Sequence, residues 1–332
     1  MTERFNPDGL ALSARYAETM NAEILPALDA LRQVIPMKGD GDRPLYVERF
    51  DAERPRGTVT VVHGFTENAF KYSELTFSLL RNGFSVLALD QRGHGRSWRD
   101  PEISDLSLTH VDHFEEYVKD LKRVCDAALA DMPKPWYVFC HSMGGAVTGL
   151  FLEQYPGVFE KAVMCAPMIA PNRSGLPLWA AKALGGLGKL TGQGKKRIFV
   201  SRPYAGPEDF ATSAAVGRER FDWYDAAKAA TPAFQNNGPT YGWLLEAVNV
   251  TAKLLAPGAV EKIAIPVLLY TAERDGSVLP AEQKLFIDRV KDGRHGYVAG
   301  AKHEIYRSTD EIFFPWWHEI LVFLKRNPSA EG

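Results

Sequence analysis

Short apolar runs rich in β-branched residues recur along the chain, and stretches with helical spacing of apolar positions lie between them. The runs 57–63 (GTVTVVH), 84–90 (FSVLALD) and 136–141 (WYVFCH) read as buried parallel strands. Between the first two, Phe70, Leu75, Phe77, Leu79 and Leu80 mark an apolar helical face over 67–81, and 113–129 is helical between the next two. The series continues through 161–166 (KAVMCA), 266–271 (PVLLYT) and 296–299 (GYVA), followed by a last helix over about 309–325. The N-terminal stretch to about Val34 reads as an amphipathic helix packed outside the sheet. This alternation predicts an α/β fold with a mostly parallel, doubly wound sheet.

One interval breaks the rhythm. About 95 residues separate the strand ending at Ala166 from the one starting near Ile265, whereas a single crossover needs roughly 30. The interval carries helical patterns of its own over 176–190, 219–230 and 241–255, punctuated by glycine and proline. We expect a core of residues 1–167 and 259–332 and an inserted helical cap over 168–258. An insert at a strand's carboxyl end sits above the edge where open α/β sheets bind ligands, so it can roof a pocket.

Composition narrows the class without choosing the chemistry. The 332 residues are 45% hydrophobic and 24% charged with a formal net charge of −2, which fits a globular protein and gives no reason to expect nucleic acid as a partner. The first residues carry acids and a proline where an export signal needs a basic start and an apolar stretch, and no apolar run reaches the roughly 18 residues that span a bilayer. Cys125, Cys140 and Cys165 are odd in number and suit buried thiols in a reducing compartment. The expected location is cytoplasmic, with peripheral contact at the inner face of a membrane. Oligomeric state is not readable from the sequence.

Chemistry concentrates at strand ends. Ser142 follows an apolar strand directly and precedes Met143-Gly144-Gly145-Ala146, so the chain must turn sharply from strand to helix at the serine, as in a nucleophile elbow. Small residues are required two places on either side; Gly144 fills one position and Cys140 replaces the usual glycine at the other. A serine that merely caps a helix is the plainer alternative. A serine hydroxyl needs a base, and the base needs an acid to orient it.

Among eight histidines, His303 follows the strand 296–299, whereas His295 precedes it and His318 lies in the last helix. His141 reads as a packed neighbour of the serine, and His63 and His94 are weaker candidates at other strand ends. The loop after 266–271 offers Glu273 and Asp275. Asp275 is the choice, because Gly276 allows a turn and Val278 anchors the loop. Backbone N–H groups of Met143 and of Phe65, after His63-Gly64, are the expected oxyanion donors. The run Asp90 to Ser97 lacks phosphate-loop spacing and reads as a structural turn, and no residue set has metal-ligand spacing, so neither a metal nor another cofactor is expected.

Taken together, His63-Gly64-Phe65-Thr66-Glu67, Asp90 to Ser97, His141 to Gly145, Asp275 and Gly300-Ala301-Lys302-His303-Glu304 resemble the bacterial lysophospholipase and monoglyceride lipase branch of the α/β hydrolases. The cap sequence Gly238-Pro239-Thr240-Tyr241-Gly242-Trp243 is similar to the lysophospholipase subgroup in particular. The resemblance implies the α/β-hydrolase fold and hydrolysis of a single-chain acyl ester, with the cap lining the acyl site. Trp179, Leu184, Leu187, Phe221, Trp223, Tyr241, Trp243 and Leu244 are then candidates to line that site or to form the cap's own core. Lys195-Lys196-Arg197 reads as a solvated charge run, with an anionic membrane surface as the alternative.

The expected reaction is attack by Ser142 on an ester carbonyl with His303 as base, an acyl-enzyme, and its hydrolysis by water. Because a histidine base works only when neutral, activity is expected to fall below about pH 6 to 6.5. The competing readings are a short-chain carboxylesterase or a peptidase of the same fold, and, more remotely, a ligand-binding protein without catalysis.

Overall fold

The computed structural model describes residues 4–326. In chain order its strands are β1 (Gln33–Lys38), β2 (Pro44–Phe50), β3 (Thr58–Val62), β4 (Ser85–Asp90), β5 (Leu108–Thr109), β6 (Trp136–His141), β7 (Lys161–Cys165), β8 (Gly238–Pro239), β9 (Val267–Ala272) and β10 (Gly293–Val298). Eight of them form one sheet in the order β1-β2-β4-β3-β6-β7-β9-β10, antiparallel between β1, β2 and β4 and parallel from β4 to β10. Strands β3, β4, β7 and β9 are buried at every position, which is why they read as continuous apolar runs.

The α-helices are α1 (Tyr16–Thr19), α2 (Leu25–Leu31), α3 (Ser73–Arg81), α4 (Glu115–Val124), α5 (Met143–Gln154), α6 (Leu178–Leu190), α7 (Arg218–Ala230), α8 (Tyr241–Leu254), α9 (Pro280–Ile287) and α10 (Asp310–Lys325). Apolar faces of α4, α5, α8 and α9 close one core, and those of α1 to α3 and α10 close another on the opposite face of the sheet. The result is the α/β-hydrolase architecture, with helices on both faces.

Two expectations require correction at the sheet edges. The N-terminal helical stretch ends at Leu31, and the chain then enters β1, which is exposed or half-buried at every position and whose short apolar run is interrupted by Pro36. Strand β10 starts at Gly293 and so includes His295, which bonds Thr271 Oγ1 at 2.8 Å within the sheet; its first residues are exposed, so no apolar signal marks the start.

Helices α6, α7 and α8 occupy the long interval between β7 and β9. Gly185 and Gly188 bring α6 close to α8: a β-carbon on them would lie 2.8 Å from Leu245 Cβ and 2.6 Å from Tyr241 Cβ. Helix α7 is tied to the core instead. The guanidinium of buried Arg220 donates to Glu74 Oε2 at 3.1 Å on α3 and to Asp310 Oδ1 at 2.8 Å on α10.

Candidate active site

Strand β6 runs directly into α5, and the chain reverses at Ser142 with φ 49° and ψ −118°. A non-glycine residue at positive φ costs about 1–3 kcal/mol, so the surroundings must over-determine it. They do so through the backbone: Ser142 N–H donates to the Cys165 carbonyl (3.1 Å), and the Ser142 carbonyl accepts from Gly145 and Met168 N–H (2.8 Å each). A β-carbon on Gly144 would lie 2.2 Å from the Val62 carbonyl oxygen, and one on Gly145 2.3 Å from Pro167 Cβ. Both glycines are therefore demanded by close packing at the turn. Cys140 is accommodated because its side chain packs in the core, with Sγ 3.5 Å from the Val163 carbonyl. Burial pushes its thiol up to about 12, so it stays protonated.

His303 lies in the loop after β10, with Nδ1 2.8 Å from Asp275 Oδ2. Asp275 follows β9, and its other oxygen accepts the N–H groups of Ser277 (2.8 Å) and Val278 (3.1 Å). Burial works to raise the Asp275 carboxyl, but the bond to His303 and these backbone donors outweigh it and hold it below its ordinary value. With Nδ1 committed to Asp275, Nε2 is the nitrogen left to accept a proton. Ser142 and His303 line one cavity of about 650 Å³.

The backbone N–H groups of Phe65 and Met143 make no hydrogen bond within the protein among the described residues. Phe65 precedes Thr66, which adopts φ 61°, so a second left-handed residue shapes this loop after β3. Gly64 is fixed by space: a β-carbon there would meet Glu67 Oε2 at 2.7 Å and Ser142 Cβ at 3.0 Å.

The cavity walls come from both layers. Phe65, Met168, Val278, Leu184, Ile198, Trp243, Leu244 and Val248 make it predominantly apolar, and Arg173 stands among them. Trp243 stacks on Phe65 with ring centroids 4.0 Å apart, so α8 rests directly on the loop after β3. Four aromatic residues and Leu187, all proposed for this lining, lie elsewhere: Phe221 is buried against Phe210 and Arg307, and Leu187 is exposed. Trp179 is 74% exposed on the outer face of α6. Trp223 stacks on Phe70, with Nε1 donating to Asn21, in a groove beside the N-terminal helices. Tyr241 serves as the surface on which Gly188 packs. Helical spacing does not distinguish a cavity face from a helix contact or a solvent face.

Beneath the cavity lies a charged cluster that motif reading does not reveal. Glu67 Oε2 accepts the Gly64 N–H (2.5 Å) and the Tyr72 hydroxyl (2.6 Å) and faces His141 Nδ1 at 3.0 Å. Its Oε1 accepts from the Lys71 ammonium (2.9 Å) and the Tyr306 hydroxyl. Lys71 also donates to Glu304 Oε1 (2.6 Å), and Arg307 to Glu304 Oε2 (2.6 Å). Gly64, Lys71 and Tyr72 are close to Glu67 in sequence, whereas His141, Glu304, Tyr306 and Arg307 come from distant segments.

A family model described as serine aminopeptidase S33 matches residues 53–310. The chain belongs to the S33 family of α/β hydrolases. Among its relatives, lysophospholipase L2 of Escherichia coli K12 is 31% identical over 89% of this chain and 88% of its own. Human monoglyceride lipase is 24% identical over 84% and 85%. The fold is shared with a monoglyceride lipase from Saccharomyces cerevisiae at a TM-score of 0.68 and 19% identity, covering 89% of this chain and 95% of the other. A carboxyl esterase from Bacillus coagulans gives the same TM-score at 18% identity, covering 89% and 98%.

Among the described residues, Asp100, His110 and Asp112 bring possible metal-ligand atoms within 4.8 Å of one another. The Lys195 ammonium already sits 2.8 Å from Asp100, and the Thr240 hydroxyl 2.7 Å from His110 Nδ1. A cation would have to compete with a lysine already in place, and nothing else at the cluster calls for one.

Proposed function

We propose that this S33 hydrolase cleaves carboxylic esters of single-chain lipids, lysophospholipids or monoacylglycerols, through an acyl-enzyme on Ser142. The observation that carries the proposal is the shared apolar cavity: Ser142 and His303 face it, and His303 is bonded to Asp275. In this reading His303 takes the hydroxyl proton as Ser142 Oγ bonds to the ester carbon. Asp275 stabilises the imidazolium that forms. Phe65 and Met143 N–H groups receive the developing oxyanion. Collapse expels the alcohol, which takes the proton from His303, and the same base then deprotonates the water that releases the fatty acid. Segment 168–258 acts as the cap over the acyl chain. The names of the relatives support the lipid substrate.

An aminopeptidase would need a free carboxylate for the substrate's α-amine. The two glutamates on the wall, Glu67 and Glu304, are both paired with Lys71, and Glu304 also with Arg307, whereas the charge left facing the cavity is Arg173. This favours the ester reading over the peptidase reading.

The proposal includes transient contact with an anionic membrane surface. Of twelve exposed large apolar side chains among the described residues, seven lie between Leu176 and Val200, including Trp179, Leu187, Leu190 and Phe199. No acidic residue occurs from 168 to 207, while Arg173, Lys182, Lys189, Lys195, Lys196, Arg197 and Arg202 do. Apolar side chains beside unbalanced cations suit an anionic lipid interface. Lys195 and Arg197 are partly spent on Asp100, Glu102 and Asp105 and Lys189 lies 4.0 Å from Glu246, while Arg173, Lys182, Lys196 and Arg202 form no ion pair among the described residues.

A fluorophosphonate probe should label the wild type at Ser142 and leave Ser142→Ala unlabelled. An unlabelled wild type refutes the hydrolase, and a labelled variant refutes the site. Rates on p-nitrophenyl esters of increasing length should rise beyond acetate; a sharp preference for acetate refutes the lipid substrate.

A further inference from the structure

The mechanism above leaves His141 without a task, although it is buried next to the serine and its ring centre lies 4.7 Å from that of His303. Its surroundings settle its protonation by counting donors. Nδ1 faces Glu67 Oε2 at 3.0 Å, and Nε2 faces the His303 main-chain carbonyl at 3.2 Å. A carbonyl only accepts. Glu67 takes hydrogen bonds from Gly64, Tyr72, Lys71 and Tyr306, and Lys71 keeps a positive charge against it, so this carboxylate is ionised and only accepts as well. A neutral imidazole has one N–H and would leave one of these contacts with two opposed lone pairs.

We infer that His141 is a buried imidazolium paired with Glu67, and that the pair is a positioning device joining the oxyanion loop to the main chain of the catalytic base. Three segments meet on the Glu67 carboxylate. Gly64 N–H fixes the loop that carries Phe65; His141 fixes the entrance to the elbow at Ser142; His141 Nε2 and Tyr306 fix the loop that carries His303. Asp275 orients the His303 ring from outside, and His141 holds its backbone from within. The groups that face His141 are Glu67 and Lys71 from the loop and turn after β3, and His303, Glu304 and Tyr306 from the segment after β10. Burial opposes the charge on His141, but the Glu67 carboxylate outweighs it and raises the pKa above the ordinary histidine value. The same environment holds Glu67 well below the ordinary carboxylate range, against burial, through Lys71 and His141.

The catalytic part of this inference rests on the proposed hydrolase reading; the charge assignment does not. The first measurement is 15N NMR of histidine-labelled wild type at pH 8, with His141 assigned from the signals missing in His141→Gln. Both ring nitrogens should carry protons; a singly protonated ring overturns the proposal whether or not the protein is active. The second is Glu67→Gln, which keeps the shape and removes the anion. Its kcat on a p-nitrophenyl ester should fall about 10²-fold, the scale of a small misplacement of reacting groups, with KM little changed and fluorophosphonate labelling slowed in parallel. At pH 8 its His141 should show one N–H. A variant with wild-type kcat, or a loss confined to KM, overturns the positioning role. Failure of the wild type to label defeats the hydrolase reading instead.

Discussion

A single ångström of clearance at Gly144 or Gly64 decides whether the serine can sit where it does, and a single carboxylate, Glu67, decides what lies around it. The same cluster sets an acid limit for the fold. Burial works to raise the Glu304 carboxyl, but the charges of Lys71 and Arg307 outweigh it and lower it from 4.5 to about 2. A depressed folded-state pKa means stability that is complete above the unfolded value and is lost as pH falls through the folded one. Denaturant unfolding should therefore weaken between about pH 4.5 and pH 2, and Glu304→Gln should flatten that slope while lowering stability at pH 7. Parallel curves for the two proteins would show that Glu304 does not contribute. At this scale the sequence revealed Ser142, Asp275 and His303 as candidates because each follows an apolar strand. The partners of Glu67 stayed hidden, since Tyr306 reaches it from beyond the final strand and no periodicity connects them.

The helices of the segment proposed as a cap differ in how they are held. Helix α7 is fastened through Arg220, whose guanidinium spans Glu74 and Asp310, while α6 rests mainly on α8 and turns Trp179, Leu187 and Leu190 outward. Arg220→Ala leaves Glu74 buried without its cation, so unfolding free energy should drop by about 3–5 kcal/mol; a loss under about 1 kcal/mol would refute this anchoring. The outward face of α6 makes a different forecast. Leu187→Glu with Leu190→Glu should abolish co-sedimentation with phosphatidylglycerol vesicles, be neutral toward a soluble short ester, and leave binding to phosphatidylcholine vesicles as weak as before. Undiminished sedimentation would remove the membrane surface from α6, and a change in oligomeric state on substitution would assign that face to a second copy. Helices α6 to α8 were legible almost to the residue, because glycine and proline punctuate them. Strands β1 and β2 were not, because β1 is exposed or half-buried throughout and holds Pro36, and β2 mixes charged with apolar residues.

For the molecule as a whole, charge is balanced in total and unbalanced in place: a net −2 coexists with a 40-residue acid-free stretch, 168–207, beside the cavity mouth. No helix among the described residues is long and apolar enough to cross a membrane.

The sheet order has a further consequence, in time. Strand β6, which delivers Ser142, lies at the centre of the sheet, whereas the base arrives only with the loop after the edge strand β10. During synthesis at about 5–20 residues per second, Ser142, the proposed nucleophile, precedes His303, its proposed base, by on the order of ten to thirty seconds. Through that interval the growing chain carries Ser142 without the histidine proposed to activate its hydroxyl. With Ser142 and His303 in the roles proposed, the ester hydrolase gains its activity only once the chain has passed His303.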